Sequence, residues 1–370
     1  MTAERDIYLR ILAYGLADDA SITHPNVEAV NWKKFYSFCE TQAILGIGLQ
    51  CIDKLKSQLG GDLKIPQDIL LQWIGLVEQI KAQNQLLNER TKGIIEYFKS
   101  HGKRSCILKG QGNAQMYPEP KLRTPGDIDV WLEGTKREIV KFVHNRYPDI
   151  NVQYHHMAYP VFDDVEVEIH YYPSFCYNKW NNYKLQKYFI ENSNEQFKNK
   201  TNIGYCVPTV SFNLIFQLSH MMRHFFTQGI GLRHAIDYYY LLMQEMTMQQ
   251  KEETVATMKG CGMYKFFRAL MWIEVTILGL NSNVDIVEPH ERAGRMVLTE
   301  MLKGGNFGHQ YDRKQKGKIA FYAEQMLHNM NYIAEFPSEP MSRPFALVWD
   351  YARKQFNYNT NTSKLMTGKY

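Results

Sequence analysis

The chain has 370 residues, of which 45% are hydrophobic and 22% are charged, and its formal charge at pH 7 is +5. This length and composition predict a globular protein with a large hydrophobic core and two or three packed units. The positive charge is small and spread along the sequence, which excludes a basic RNA-binding tail but leaves anionic small molecules and nucleic acids open as ligands.

The cysteines and the apolar stretches indicate the compartment. Six cysteines are scattered without C-x-x-C spacing, which is typical of reduced thiols and not of a disulfide framework. The N-terminus is charged where a signal peptide would become apolar, and the long apolar stretch 266–280 is interrupted by Arg268 and Glu274. We therefore expect a cytoplasmic protein that does not span a membrane.

Residues 1–102 predict an N-terminal helical region. The clearest helix begins at Pro66, a residue favoured in the first turn, and its apolar residues recur at helical spacing until the pattern ends near Gly102. A helix of this length is expected to pack across a domain boundary.

Residues 103–207 carry the strand signals. The segments 104–110 and 126–134 are short apolar runs, and 135–147 is an amphipathic helical pattern. Residues 151–173 alternate like a hairpin that turns near 162–164. This region predicts a compact α/β core of four or five strands.

The rest of the chain returns to helical patterns. Residues 208–356 predict a C-terminal helical domain, and residues 357–370 predict a polar tail. The predicted fold class is therefore α+β, with a small mixed β-sheet core flanked by N-terminal and C-terminal helical regions.

Two aspartates interrupt the second predicted strand. Side chains two residues apart in a strand share a face, so Asp127 and Asp129 should project together while their neighbours enter the core. In the predicted hairpin, Glu166 and Glu168 share a face with His170. If the two polar faces lie on the same side of one sheet, at least three carboxylates meet there, and they need a cation because like charges raise each other's pKa.

Magnesium fits this requirement, because it binds carboxylate oxygens and completes its coordination with water and substrate phosphates. Directly upstream, a predicted strand leads into Lys109 and the turn Gly110, Gln111 and Gly112, which is followed by a short helix. The backbone N–H groups of such a turn can cradle a phosphate, with Lys109 beside it.

This order of parts resembles the nucleotidyltransferase superfamily related to DNA polymerase β. More narrowly, ILKGQGNAQMYPEPKLRTPGDIDVWL at 107–132, followed by VEIHYYPS at 167–174, is similar to a bacterial family of uncharacterised nucleotidyltransferases. That family combines L-K-G, Y-P, R-x-x-x-D-I-D and an acidic residue before I/L-H. These motifs cover about a fifth of the chain. The sequence departs from the usual G-S or G-G turn, because Gln111 replaces the residue whose hydroxyl group contacts phosphate elsewhere.

The resemblance implies a role for each of five side chains. Asp127 and Asp129 would hold one or two Mg²⁺ ions on the nucleotide phosphates. Glu168 would bind the second ion, accept the proton of the acceptor hydroxyl group, or do both. Arg123 and Lys109 would neutralise the triphosphate, with Arg123 the better bidentate partner.

The identity of the third carboxylate and the role of two histidines are open. Glu166 competes with Glu168, which is favoured because Ile-His follows it as in the resembling family. His220 and His224 stand four residues apart and could bind zinc, although no third ligand is evident. We expect these two histidines to face the cleft from the helical domain.

Other polar residues have simpler interpretations. Arg233 and Asp237 are spaced as a helix ion pair, although the resemblance also makes Asp237 a candidate nucleotide contact. His155 and His156 are expected to form a surface pair. His170 is expected to be a structural histidine outside the metal shell.

The predicted function is Mg²⁺-dependent transfer of a nucleoside monophosphate from an NTP, with ATP the expected donor, to an unidentified acceptor. The weak net charge favours a small molecule or a protein over a long nucleic acid as acceptor. Two alternatives remain, namely a non-catalytic nucleotide-binding or partner protein of the same fold, and a metal-dependent phosphohydrolase that uses His220 and His224.

Overall fold

The computed structural model begins with a bundle of helices. It describes residues 3–17, 23–28, 30–59, 63–281, 284, 286–306 and 318–349, so the predicted tail at 357–370 lies outside the described residues. The N-terminal helices are α1 (Ala3–Leu16), α2 (Trp32–Thr41), α3 (Leu45–Leu59) and α4 (Gln67–Ser100). Helix α4 confirms the predicted long helix and follows Pro66 directly.

A mixed sheet of four strands follows, as the sequence predicted. Its strands are β1 (Ser105–Leu108), β2 (Ile128–Leu132), β3 (His156–Ala158) and β4 (Val167–His170), in the order β1-β2-β4-β3. Strands β2 and β4 are parallel, whereas the β1–β2 and β3–β4 pairs are antiparallel. Helix α5 (Gly110–Ala114) follows β1, and α6 (Lys136–His144) follows β2.

The two faces of the sheet differ in polarity because of the period-two alternation. One face, which carries Val130 and Ile169, packs with helices α4 and α6 in one hydrophobic core. The opposite face carries Asp129 and Glu168, which are partners in the β2–β4 register. Leu108 and Trp131 lie on this second face and belong to the other hydrophobic core, which includes the helices that follow the sheet.

The remaining helices follow the sheet in the chain. They are α7 (Lys179–Glu191), α8 (Ser193–Gln196), α9 (Val210–Phe225), α10 (Leu232–Leu242), α11 (Met248–Gly260), α12 (Tyr264–Trp272), α13 (Glu291–Gly304) and α14 (Lys318–Met330). Residues 338–349 are also helical. No described helix is both long enough and apolar enough to cross a membrane.

One core joins the two helical regions. It contains Phe35 of α2 and Trp73 of α4 together with Phe216 of α9 and Leu270 of α12. Farther along α4, Phe98 belongs instead to the core under the sheet. The long helix thus connects both cores, as its length suggested. The boundaries at 102 and 207 remain predictions.

A buried carboxyl group lies where α12 passes into a π-helical turn, Ile273–Ile277. Glu274 is fully buried, and neither of its carboxyl oxygens has a hydrogen-bond partner among the described residues. Burial raises the pKa of Glu274 well above its ordinary value of 4.5. The carboxyl group therefore keeps its proton to a higher pH in the folded protein than in the unfolded chain.

Replacing Glu274 with Gln should remove a pH-dependent loss of stability. The unfolded chain releases the Glu274 proton above its ordinary pKa and the folded chain retains it, so the free energy of unfolding falls by about 1.4 kcal/mol per pH unit in this range. A glutamine side chain does not titrate, so the Glu274→Gln variant should gain stability relative to the wild type between about pH 5 and about pH 8. Urea unfolding of the variant and the wild type at both pH values measures this difference in the free energy of unfolding. Glu252→Gln, at an exposed position of α11, is the control, and equal pH profiles for both variants would contradict the assignment.

Candidate active site

Asp127 and Asp129 line a cleft between the sheet and the C-terminal helices, and Glu168 lies beside Asp129 on the same face of the sheet. From the sheet side, the cleft is lined by the turn after β1 and by the residues around the start of β2, and from the helical side by α9 and α10. The lining residues are Lys109, Gly110, Asn113, Arg123, Gly126, Asp127, Asp129, Gln217, His220, Met221, Arg233, His234 and Asp237.

Asp129 is the most enclosed carboxylate of the cleft, with 1% of its surface exposed. Its Oδ1 atom lies 2.9 Å from Lys109 Nζ and 2.8 Å from His170 Nε2. Burial by itself would raise the pKa of Asp129, but Lys109 and His170 outweigh it and hold the pKa below its ordinary value. Asp129 is therefore an anion with two internal cationic or hydrogen-bonding partners.

Asp127 directly precedes β2 and lies close enough to Asp129 to be affected by its negative charge. The Asp129 charge and burial raise the pKa of Asp127 to about 6, although Lys109 acts in the opposite direction. A group with this pKa exchanges its proton readily for a metal ion near neutral pH.

Glu168 lies opposite Asp129 in the parallel ladder. Its Oε2 atom is 3.3 Å from His156 Nδ1 and 3.6 Å from His170 Nε2. Glu166 is exposed and lies before β4, although its carbonyl oxygen accepts a hydrogen bond from the Ile128 N–H. The structure thus brings Glu168, and not the side chain of Glu166, to Asp129.

The turn between β1 and α5 is tightly constrained. Lys109 has a φ of +46° and Gly110 a φ of +39°, and a Cβ on Gly112 would lie 3.0 Å from the Ile107 carbonyl oxygen. Lys109 and Gly110 line the cleft. Gln111 turns away from it, because its amide group donates to the Asn88 side chain of α4 at 2.8 Å.

Arg123 and Asp237 form a buried bidentate ion pair. Arg123 Nε and Nη2 lie 2.7 and 2.8 Å from the two carboxylate oxygens of Asp237, and the Tyr117 hydroxyl donates to the same carboxylate at 2.7 Å. Burial by itself would raise the pKa of Asp237, but Arg123 lowers it to about 2. Both residues line the cleft, but the guanidinium group of Arg123 already binds Asp237. Their predicted contacts with a nucleotide remain predictions.

Arg233 also borders the cleft beside this ion pair. It was predicted to pair with Asp237, and its charge contributes to lowering the pKa of that carboxyl group. Its Nη1 donates to the Thr124 carbonyl oxygen at 3.3 Å. The contact links α10 to the segment that leads into β2.

The expectation of a surface pair at His155 and His156 was wrong. His155 is 5% exposed and packs against the ring of Phe175, at 5.0 Å between centroids. Burial lowers the pKa of His156 to about 4, although Glu168 opposes this shift, so its imidazole is neutral at pH 7. The segment after β4 covers the pair, and no local sequence pattern indicates that covering.

Helix α9 contributes a guanidinium group that the sequence analysis did not single out. Arg223 Nη2 lies 2.8 Å from His224 Nε2 and 3.3 Å from His220 Nδ1. Burial lowers the pKa of Arg223, whereas the charges of Glu168 and Asp129 raise it, which places this cation near the carboxylates. In the sequence, Arg223 follows His220 by three residues, so the two side chains lie on the same face of a helix. That spacing was the signal that could have identified Arg223.

The zinc alternative gains no support from this arrangement. His220 and His224 both contact the positive Arg223. His220 lines the cleft as expected, whereas His224 is not among the lining residues. Within the part of the chain that the structure describes, the groups that could hold a metal are Asp129, Glu168 and His170, and His155, His156 and His170.

Clustered carboxylates beside a cation-bearing glycine turn are the arrangement expected of an enzyme that acts on phosphate esters. A family model described as an uncharacterised nucleotidyltransferase matches residues 28–279. Because the match covers more than half of the chain, the chain belongs to this family. No curated protein and no solved structure matches it significantly.

The match confirms the predicted family and identifies a transferase in general terms. All cleft residues from Lys109 to Asp237 lie within the matched range. Bacterial origin and kinship with the DNA polymerase β superfamily remain predictions.

Replacing Asp237 with Asn should be strongly destabilising, because it leaves Arg123 buried without an anion. Removing one partner of a buried pair costs about 3 to 5 kcal/mol, whereas an exposed pair is worth at most about 1 kcal/mol. Asp164→Asn is the control, since it breaks the exposed Arg90–Asp164 pair. Chemical denaturation of both variants measures the difference, and equal small losses would contradict a structural role for the Arg123–Asp237 pair.

Proposed function

We propose that the protein is a Mg²⁺-dependent nucleotidyltransferase that transfers a nucleoside monophosphate from an NTP, with ATP as the expected donor, to a hydroxyl or phosphate group of an acceptor. The observation that carries the proposal is the pairing of Asp129 with Glu168 on neighbouring parallel strands, with Asp127 beside them. A small molecule or a protein is the expected acceptor.

The carboxylates fit a hard divalent cation. Asp127, Asp129 and Glu168 supply only oxygen atoms, which Mg²⁺ prefers, and their mutual repulsion is relieved when a cation enters. When bound, one or two Mg²⁺ ions supply charge stabilisation for the entering and leaving oxygens at the α-phosphorus.

The charged residues that line the cleft are suited to a triphosphate. The lining has equal numbers of basic and acidic residues, namely Lys109, Arg123 and Arg233 against Asp127, Asp129 and Asp237. The addition of divalent ions therefore makes the net charge of the cleft positive. We expect Lys109 to exchange the Asp129 oxygen for a phosphate oxygen when a nucleotide binds, because a lysine side chain is flexible and can move without a change in the fold. Gly110 permits close approach of the backbone.

Glu168 is suited to accept the proton of the acceptor hydroxyl group. Burial by itself would raise its pKa, but His170 lowers it, so the carboxylate is ionised at neutral pH. The acceptor oxygen forms a bond to the α-phosphorus. The bond between the α-phosphorus and the oxygen that bridges the α- and β-phosphates breaks, and pyrophosphate leaves with that electron pair. His156 and His170 position the Glu168 side chain.

Pyrophosphate release should depend on Asp129 and Glu168 and not on Glu166. With labelled ATP, Mg²⁺ and a panel of candidate acceptors, Asp129→Asn and Glu168→Gln should lower the rate by about 10²–10⁴-fold, the usual effect of losing a general base or a comparable group. Glu166→Gln is the matched control, since its side chain is exposed on the same segment, and it should remain within about twofold of the wild type.

Thermal unfolding of the same variants separates loss of chemistry from loss of fold. Folded Asp129→Asn protein with undiminished pyrophosphate release would overturn the proposal. An equal loss in Glu166→Gln and Glu168→Gln would overturn the assignment of Glu168 as the third carboxylate.

One observation favours a second candidate, a non-catalytic nucleotide-binding protein of the same family. Asp129 already has internal partners in Lys109 and His170, an arrangement that a metal-free binding site also requires. Such a protein would bind ATP in equilibrium dialysis with Mg²⁺ replaced by EDTA, and it would release no pyrophosphate with any acceptor.

A further inference from the structure

Arg223 in α9 is a cation whose direct contacts, within the described part of the chain, are with uncharged groups. Its Nη2 atom lies 2.8 Å from His224 Nε2 and 3.3 Å from His220 Nδ1. Its guanidinium carbon is 5.1 Å from the centroid of the Phe175 ring. Burial lowers the pKa of both histidines well below the ordinary value of 6.5, so both rings are neutral at pH 7.

The guanidinium group of Arg223 keeps donors that the protein does not use. Arginine carries five N–H donors, and the two on Nη2 can each face one of the histidine rings. Nε is buried without a hydrogen-bond partner among the described residues, and Nη1 donates to none of them. Arg123, by contrast, directs Nε and Nη2 at the carboxylate of Asp237. A buried cation is costly without an anion in contact, and an anionic ligand would offset that cost at Arg223.

Arg223 lies near Glu168 but outside the lining of the cleft. The charges of Glu168 and Asp129 act on Arg223, which is not among the lining residues. Phe175, on which Arg223 packs, belongs to the segment after β4, and its ring is 5.0 Å from the ring of His155. In-line transfer places the acceptor oxygen and the leaving pyrophosphate on opposite sides of the α-phosphorus. With the triphosphate in the cleft, the acceptor approaches from Glu168, which is the side of Arg223.

We propose that Arg223 binds a phosphate group of the acceptor, so that nucleoside monophosphate transfer is directed to a hydroxyl group of a phosphorylated molecule. The inference rests on the proposed function and names the acceptor class that the function left open. A phosphate group offers several oxygens to the unused donors, and a guanidinium group presents its donors in a fixed planar array that suits phosphate. His220 and His224 hold that array in place through Nη2. The Arg223 side chain is partly exposed, which gives a ligand access.

The first test measures phosphate binding and needs no activity. Inorganic phosphate is titrated into the full chain by calorimetry without Mg²⁺, because the cleft lining then has as many acidic as basic residues and adds little. Arg223→Gln should weaken binding about 10- to 100-fold, the usual value of a hydrogen bond to a charged group. Arg137→Gln, at an exposed arginine of α6, is the matched control and should bind as the wild type does. Phosphate binding that survives in Arg223→Gln and is lost in Lys109→Gln would overturn the proposal.

If Arg223→Gln fails to fold, nitrogen-15 NMR of the histidine side chains in the wild-type chain decides the question. Phosphate bound at Arg223 should shift the resonance of His224 Nε2, because that nitrogen lies 2.8 Å from the guanidinium group. The exposed His101 should give an unchanged signal. A His224 resonance that does not respond to phosphate contradicts the proposal.

The second test addresses the acceptor. Acceptors are supplied in pairs that differ only in a phosphate group, such as glycerol 3-phosphate and glycerol, together with Mg²⁺ and labelled ATP. The wild type should use the phosphorylated member with a kcat/KM about 10- to 100-fold higher. Arg223→Gln should lose this preference while its KM for ATP stays at the wild-type value.

The remaining outcomes of the kinetic test separate Arg223 from its alternatives. A raised KM for ATP with an intact acceptor preference would mean that Arg223 binds the triphosphate, against the proposal. An equal fall of kcat with both acceptors would mean that Arg223 only offsets the charges of Glu168 and Asp129, which also contradicts it. Phosphate binding at Arg223 without transfer to any acceptor in the wild type would contradict the proposed function and still support the phosphate site.

Discussion

The parallel pairing of β2 with β4 places ionisable carboxylates on the same buried face of a small sheet. Neighbouring cations and hydrogen-bond donors offset the electrostatic cost of burying them. Asp129 and Glu168 are register partners, and Asp127 stands one residue outside the strand. Anions this close and this enclosed are costly unless positive charge or hydrogen-bond donors lie against them. The surrounding side chains can be understood from this constraint.

The compensation comes from different parts of the chain. Lys109 reaches Asp129 from the turn after β1, where its φ is positive, and His170 reaches it from the end of β4. Arg123 is held by Asp237 of α10, so the rim of the cleft carries a neutral, buried pair. Helix α9 adds Arg223, whose charge interacts with those of Glu168 and Asp129. The site is thus organised before any ligand binds.

The two helical regions give this cleft a fixed wall. Phe35 of the N-terminal helices and Phe216 of α9 share one hydrophobic core, and α4 extends from that core to the one beneath the sheet. A wall anchored in this way positions α9 and α10 over the polar face. On the proposed function, we expect this wall to select the base and the acceptor, because the sheet supplies the groups for phosphate chemistry.

The sequence by itself determined the elements and the polarity of the sheet. The i, i+2 alternation predicted that Asp127 and Asp129 share a face and that Glu166 and Glu168 share another, because strand geometry is a local property of a few residues. The choice of Glu168 over Glu166 came from the family resemblance. The order of motifs was enough to identify the family that the comparison confirmed.

Only the tertiary structure decided the partners of these side chains. Arg123 and Asp237 are 114 residues apart, and nothing local in either segment shows that they meet. His155 and His156 were expected to form a surface pair, but the segment carrying Phe175 folds over His155. Gln111 looked like part of a phosphate turn and instead binds α4. Periodicity specifies which way a side chain points from its own backbone, whereas its partner depends on how distant segments pack.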